Sequence, residues 1–148
     1  MNRKAVYEQL KIDEGVVYEV YKDHLGYPTF GVGHLVLKED EEFGEAIGFP
    51  VSEKRVRECF EKDLDTATNE CYALYGPGTF NALCDEVQQI LVNMMFNMGR
   101  PRLSKFKKFN DAVVQGQWDK AADEMVDSMW YRQVGDRAKR LEQRMRAI

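Results

Sequence analysis

Apolar residues recur at two different spacings along this chain, and the changes of spacing divide it into a short helix, a small sheet and a long helical run. Val6 and Leu10 stand four apart and predict a first helix, with Asn2 as its cap and Gly15 as its stop. The stretch VVYEVYKDHLGYPTFGVGHLVL is rich in Val, Tyr, Phe and Thr and is punctuated by Gly26, Gly31 and Gly33. It predicts a small antiparallel hairpin or meander from about residue 16 to 36, turning near Asp23 to Gly26. An acidic stretch after it reads as helical until Gly48-Phe49-Pro50 breaks the chain. Ser52 then caps a long helix whose apolar positions are Val56, Phe60, Leu64, Ala67, Cys71 and Leu74, ending at Gly76. At 1.5 Å per residue its roughly 23 residues span about 34 Å.

Beyond that helix every pattern is helical. Val87, Ile90, Leu91, Met94, Met95 and Met98 mark one very apolar helix closed by Gly99, and shorter ones follow over 106–114, 118–125 and 137–145. The expected fold is α+β: a sheet-containing lobe over 13–51, a connecting helix over 52–75, and a helical lobe from 1–12 and 76–148. A single domain of this kind would place its binding cleft between the lobes.

Composition narrows the classes. The 148 residues are 44% apolar and 11% aromatic, enough for a core without staples. The net charge of −4 argues against a dedicated nucleic-acid binder, so no nucleic-acid partner is expected. Acids dominate from Lys38 to Glu70, while 100–108 and 132–146 are basic. Cys59, Cys71 and Cys84 lack metal-ligand spacing and read as buried free thiols suited to a reducing compartment. The N-terminal MNRKAVYEQL has no apolar leader, and no run is long enough to span a bilayer. Synthesis in the cytoplasm without a signal peptide, and no membrane insertion, are the expectations.

The candidate chemistry lies in IDEGVVYEVYKDHLGYPTFGVGH. Glu14 stands where the first helix gives way to the sheet, Asp23 at the hairpin turn and Thr29 on the returning strand. Glycoside hydrolysis needs one carboxyl that donates a proton and another that stays ionised. A threonine hydroxyl beside the second can orient a water, because it both donates and accepts. The residues alone leave the alternative open that these are a helix-end glutamate and a solvated turn aspartate.

The motifs Asp13-Glu14-Gly15, Tyr21-Lys22-Asp23, Gly26-Tyr27, Thr29 and Gly31-Val32-Gly33-His34 together resemble the lysozymes of T-even phages. The resemblance continues through Phe60, Asp63 and Asp65, then Asn93-Met94, Phe96 and Met98-Gly99. It runs on through Trp118-Asp119, Ala121-Ala122, Trp130-Tyr131, Gln133 and Arg137-Ala138-Lys139-Arg140, and so covers nearly the whole chain.

This resemblance implies a lysozyme-like fold and a muramidase that cuts the β-1,4 bond between N-acetylmuramic acid and N-acetylglucosamine with inversion. It implies Glu14 as general acid, Asp23 and Thr29 as the water-positioning pair, and Arg137 as partner of the glutamate. Arg140 resembles the partner of Asp13, and His34 with Asp63 a structural ion pair. Leu35, Phe96, Asn97 and Trp130 are carried over as substrate contacts, Trp130 being equally readable as core. The implied substrate is the glycan strand of bacterial peptidoglycan, without a cofactor or metal, by a monomer acting on the periplasmic wall after release through a separate holin. Departures from the family pattern are Asn97 in place of a longer amide, His24-Leu25 in the turn, Pro28 before Thr29, and the net negative charge. Two rivals remain: a catalytically silent wall-binding or virion structural protein, and a lytic transglycosylase. Neither histidine completes a metal set in the sequence, and Glu39 to Glu42 reads as a solvated helix start without the ligand pattern of a calcium loop.

Overall fold

The computed structural model describes residues 1–148 and divides into two compact units, one formed by Arg3–Asp65 and the other by Met1–Asn2 with Thr66–Ile148. The first contains α1 (Arg3–Glu14), β1 (Val17–Lys22), β2 (Pro28–Gly31), β3 (His34–Leu35) and the start of α2 (Glu53–Tyr75). The strands form one antiparallel sheet in the order β1-β2-β3, as the stretch rich in Val, Tyr, Phe and Thr predicts. Gly15, at φ 75°, takes the chain out of α1 into the sheet. Tyr7 and Phe60 meet edge to face at 4.5 Å between centroids, so α1 lies on α2 and belongs with the sheet rather than with the later helices, where the sequence suggested it.

The register of β1 against β2 slips between Val17↔Gly31 and Tyr21↔Thr29. The backbone groups of the irregular stretch are taken up by the segment entering α2. Val20 N–H donates to the Phe49 carbonyl, Gly48 N–H to the Val20 carbonyl, and Val51 N–H to the Tyr18 carbonyl. Gly31 meets α2 closely: a Cβ there would stand 3.2 Å from Val56 Cγ1, so only a residue without a side chain lets the sheet sit this near the helix.

Between β3 and α2 the expected acidic helix is absent. Residues 38–48 form successive turns closed by Asp40 N–H to Leu37 O, Phe43 N–H to Asp40 O and Glu45 N–H to Glu42 O. Gly44 (φ 82°) and Gly48 (φ 92°) take left-handed conformations that a helix cannot include. Nor is Glu39 to Glu42 a solvated helix start, since Glu42 is buried on Arg55. Ser52 Oγ accepts from Arg55 N–H at 3.1 Å, which is the cap read from the sequence.

The second unit is helical. It comprises the end of α2, α3 (Pro77–Ala82), α4 (Asp85–Leu103), α5 (Lys107–Val114), α6 (Trp118–Val126), α7 (Met129–Val134) and α8 (Asp136–Arg146). α4 is buried from Val87 to Met95 and α8 packs on it and on α6. Gly99, at φ 76° and ψ 163°, interrupts α4 where the sequence closes the helix, and a last turn resumes through Pro101 to Leu103. The six-residue α3 and α7 are too short to carry a period of their own. Cys59 and Cys71 are buried, whereas Cys84, read as buried, is exposed at the mouth of α4 because it precedes the first helical turn. No helix is long and apolar enough to cross a membrane.

Candidate active site

Asp23 is held by its own turn. Its Oδ1 accepts from Leu25 N–H and Tyr27 N–H, both at 2.9 Å, and its backbone N–H donates to the Tyr27 carbonyl at 2.9 Å. These bonds make the turn an Asx-type cradle that orients the carboxylate through neutral donors and leaves Oδ2 to take a further one. Thr29 pairs across the ladder with Tyr21, so it returns to the level from which the turn departs. Its side chain is buried, and its hydroxyl donates to the Tyr27 carbonyl at 2.9 Å. With that proton committed, the Thr29 oxygen can serve a further partner only as an acceptor.

Glu14 closes α1 and is half-buried. Its carboxyl lies against Gly33 in the β2–β3 turn, where a Cβ would stand 3.1 Å from Oε2. Gly33 is at φ 65°, so the turn needs glycine for its conformation as well as for this approach. Tyr21, on β1, joins the two carboxyls. Burial raises its phenol pKa, and the charges of Glu14 and Asp23 raise it further. Both carboxyls therefore lie within electrostatic reach of one ring on β1. The sequence reading named Tyr21 and Gly33 within the family motifs and gave them no role in the site; the paired glycines around Val32 were the available signal.

A second polar group lies in the same unit. His34 is buried and gives one ring nitrogen to each of two carboxylates: Nδ1 to Asp63 Oδ2 at 2.7 Å and Nε2 to Asp40 Oδ2 at 2.8 Å. Burial works against charge on the ring, but the bonds to Asp63 and Asp40 prevail and hold its pKa above the ordinary histidine value. Burial likewise pushes Asp40 up, yet the Leu37 N–H, His34 and Arg55 keep it below the usual carboxylate range. Arg55 forks onto Glu42 with Nε and Nη2 each at 2.9 Å and reaches Asp40 at 3.3 Å. That fork lowers the pKa of Glu42. The His34–Asp63 pair was implied by the family resemblance although its members stand 29 positions apart; no such motif pointed to Asp40, Glu42 and Arg55. Cys59 also reaches this group: one ligand atom each of His34, Asp40 and Cys59 lie within 4.8 Å of one another. The fold thus assembles a donor set that spacing alone does not reveal.

The other sequence-derived residues belong to the helical unit, except Leu35 and Asp13. Leu35 is 49% exposed on β3, and Asp13 Oδ1 accepts from Gln9 Nε2 at 3.1 Å. Arg137 is buried on α8, its Nε donating to Asn93 Oδ1 at 2.9 Å. Arg140 is exposed on the same helix. Phe96 and Asn97 are half-buried on α4. Trp130 is 1% exposed and donates Nε1–H to Asn97 Oδ1 at 2.7 Å, with Phe106 edge-on at 6.3 Å. A ring so enclosed does not contact a sugar directly. It fixes the Asn97 amide instead, which corrects its reading as a substrate contact.

The sequence profile described as phage lysozyme matches residues 11–147, spanning α1 to α8. Two proteins of Dictyostelium discoideum, probable T4-type lysozymes 1 and 2, are 31% and 32% identical over 93% and 90% of this chain and 91% and 89% of their own. The pre-baseplate central spike protein Gp5 of Enterobacteria phage T4 is 33% identical over 90% of this chain, which spans only 26% of that longer protein.

Proposed function

The chain belongs to the phage lysozyme family, and from that membership we propose that it is a peptidoglycan hydrolase with Glu14 as general acid and Asp23 and Thr29 as holders of the attacking water. The observation that carries the proposal is that Glu14 and Asp23 both lie within electrostatic reach of Tyr21, whose ladder partner is the buried Thr29. In this reading water donates one hydrogen to Asp23 Oδ2 and one to Thr29 Oγ1, which directs a lone pair at the anomeric carbon. Asp23 accepts the proton as the new C–O bond forms, and Glu14 delivers its own to the departing glycosidic oxygen. Atoms balance: one water enters and the two chain ends leave with its elements. Two acceptors fixed by backbone contacts position the water before reaction, which lowers the entropic cost of the step.

Cleavage between N-acetylmuramic acid and N-acetylglucosamine, with inversion, follows from the resemblance to T-even phage lysozymes. So do Arg137 as partner of Glu14, Arg140 as partner of Asp13, and Leu35, Phe96 and Asn97 as substrate contacts. The proposal extends to a monomeric endolysin that reaches the wall through a separate holin.

The test is clearing of outer-membrane-permeabilised bacteria by the wild type and Glu14→Gln, with mass spectrometry of soluble fragments. Wild-type clearing with hydrated reducing ends, and a loss of roughly 10²–10⁴-fold in the variant, is the expected result. Anhydro-muramyl products would mean a transglycosylase. Wall binding without fragments from folded protein would mean a structural role.

A further inference from the structure

Cys59 stands on α2 one turn beyond Arg55 and is 3% exposed. Burial pushes its thiol pKa up to about 11, with Arg55 opposing and Asp40, Asp63 and Glu42 adding to the rise, so an ion bound here must displace the thiol proton. His34, from β3, and Asp40, from the following turns, converge on the same point. We propose that His34 Nε2, the Asp40 carboxylate and the Cys59 thiolate form a binding site for zinc or a similar borderline divalent ion, with water as fourth ligand.

Three observations support the site. Imidazole, carboxylate and thiolate are together the donor types zinc takes, and the thiolate disfavours magnesium and calcium. Asp63 accepts from His34 Nδ1 at 2.7 Å, which fixes the ring and leaves Nε2 as the nitrogen directed at Asp40. This is the outer-shell partner that metal-bound histidines ordinarily have. Finally, ligand atoms within 4.8 Å of one another need only a short contraction, since tetrahedral zinc sets its ligands about 3.3–3.8 Å apart.

Binding exchanges protons for the ion. The Cys59 thiol proton and the proton shared between His34 Nε2 and Asp40 pass to water, and the ion takes their place. Arg55 opposes the added charge, while Asp63 and Glu42 offset it. The ion would fasten the turns after β3 to α2, a structural role separate from the carboxyls around Tyr21.

The measurement is titration of chelator-treated, folded protein with cobalt(II). The expected signature is a near-ultraviolet sulfur-to-cobalt charge-transfer band with visible bands of tetrahedral intensity, bleached by zinc. Cys59→Ser should remove the charge-transfer band and Cys84→Ser should leave it unchanged, with Cys59→Ala as the substitute if serine disturbs the core. Asp63→Asn should keep the band but weaken affinity roughly 10–100-fold. Zinc should raise the Tm of the wild type and not of Cys59→Ser. A folded wild type without the band, or a band that survives loss of Cys59, overturns the site. Neither result depends on wall hydrolysis.

Discussion

Asp23 and Glu42 are two carboxylates of the same sheet-containing unit, and they are held in opposite ways. Asp23 is fixed through one oxygen by two neutral backbone N–H groups of its own turn. Glu42 is buried and has both oxygens on one guanidinium. A carboxylate held through one oxygen by backbone dipoles keeps the other for chemistry. One enclosed by a fork has both oxygens committed, and its role is cohesion. Position in a motif does not distinguish the two roles; the nature of the donors does.

Removing charge at each site sharpens the contrast. Asp23→Asn keeps an oxygen for the two N–H donors but loses the base, so wall clearing should fall roughly 10²–10⁴-fold while Tm changes little. A matching fall in Tm would mean that the turn, not the chemistry, depends on the charge. Arg55→Ala should do the reverse. It strands the buried Glu42 carboxylate and should cost about 3 kcal/mol in denaturant unfolding, with activity per folded molecule retained.

Gly33→Ala lies between these cases. The left-handed φ costs about 1–2 kcal/mol for a residue with a Cβ, and the methyl would press on Glu14 Oε2. Activity should drop about tenfold, through kcat more than KM, because the acid is displaced while the sugar contacts remain. An unchanged kcat would place the reacting form of Glu14 away from this turn.

The smallest effect is expected at the exposed pair of Arg3 and Glu61, 2.7 Å apart. The hydrogen bond from Arg3, with help from Arg57, lowers the Glu61 pKa below its ordinary value. Its contribution is therefore present above the ordinary glutamate range and disappears as pH falls through the lowered value. Glu61→Gln should flatten the acid side of the Tm–pH curve only slightly, and salt should erase the difference.

These cases also explain what could be read from the chain. The Asp23 turn and the Thr29 strand were legible because both arise from neighbours within eight residues. The Glu14 approach to Gly33 was not, since it requires the end of α1 to fold over a turn nineteen positions away. The acidic run misled because a solvated helix and a set of turns that bury Glu42 share one composition. Trp130 was ambiguous for the same reason: enclosure by Phe106 and the bond to Asn97 are properties of packing, with no mark in the local pattern.

The backbone bonds from residues 48–51 to β1 bear on how concentrated solutions should behave. A strand at the rim of a sheet offers its amides and carbonyls to any neighbouring molecule. Here much of one rim is already occupied by the chain itself, and the other is a strand of two residues. Little continuous template remains for molecules to add to one another edge by edge, so the sheet is a poor seed for fibres.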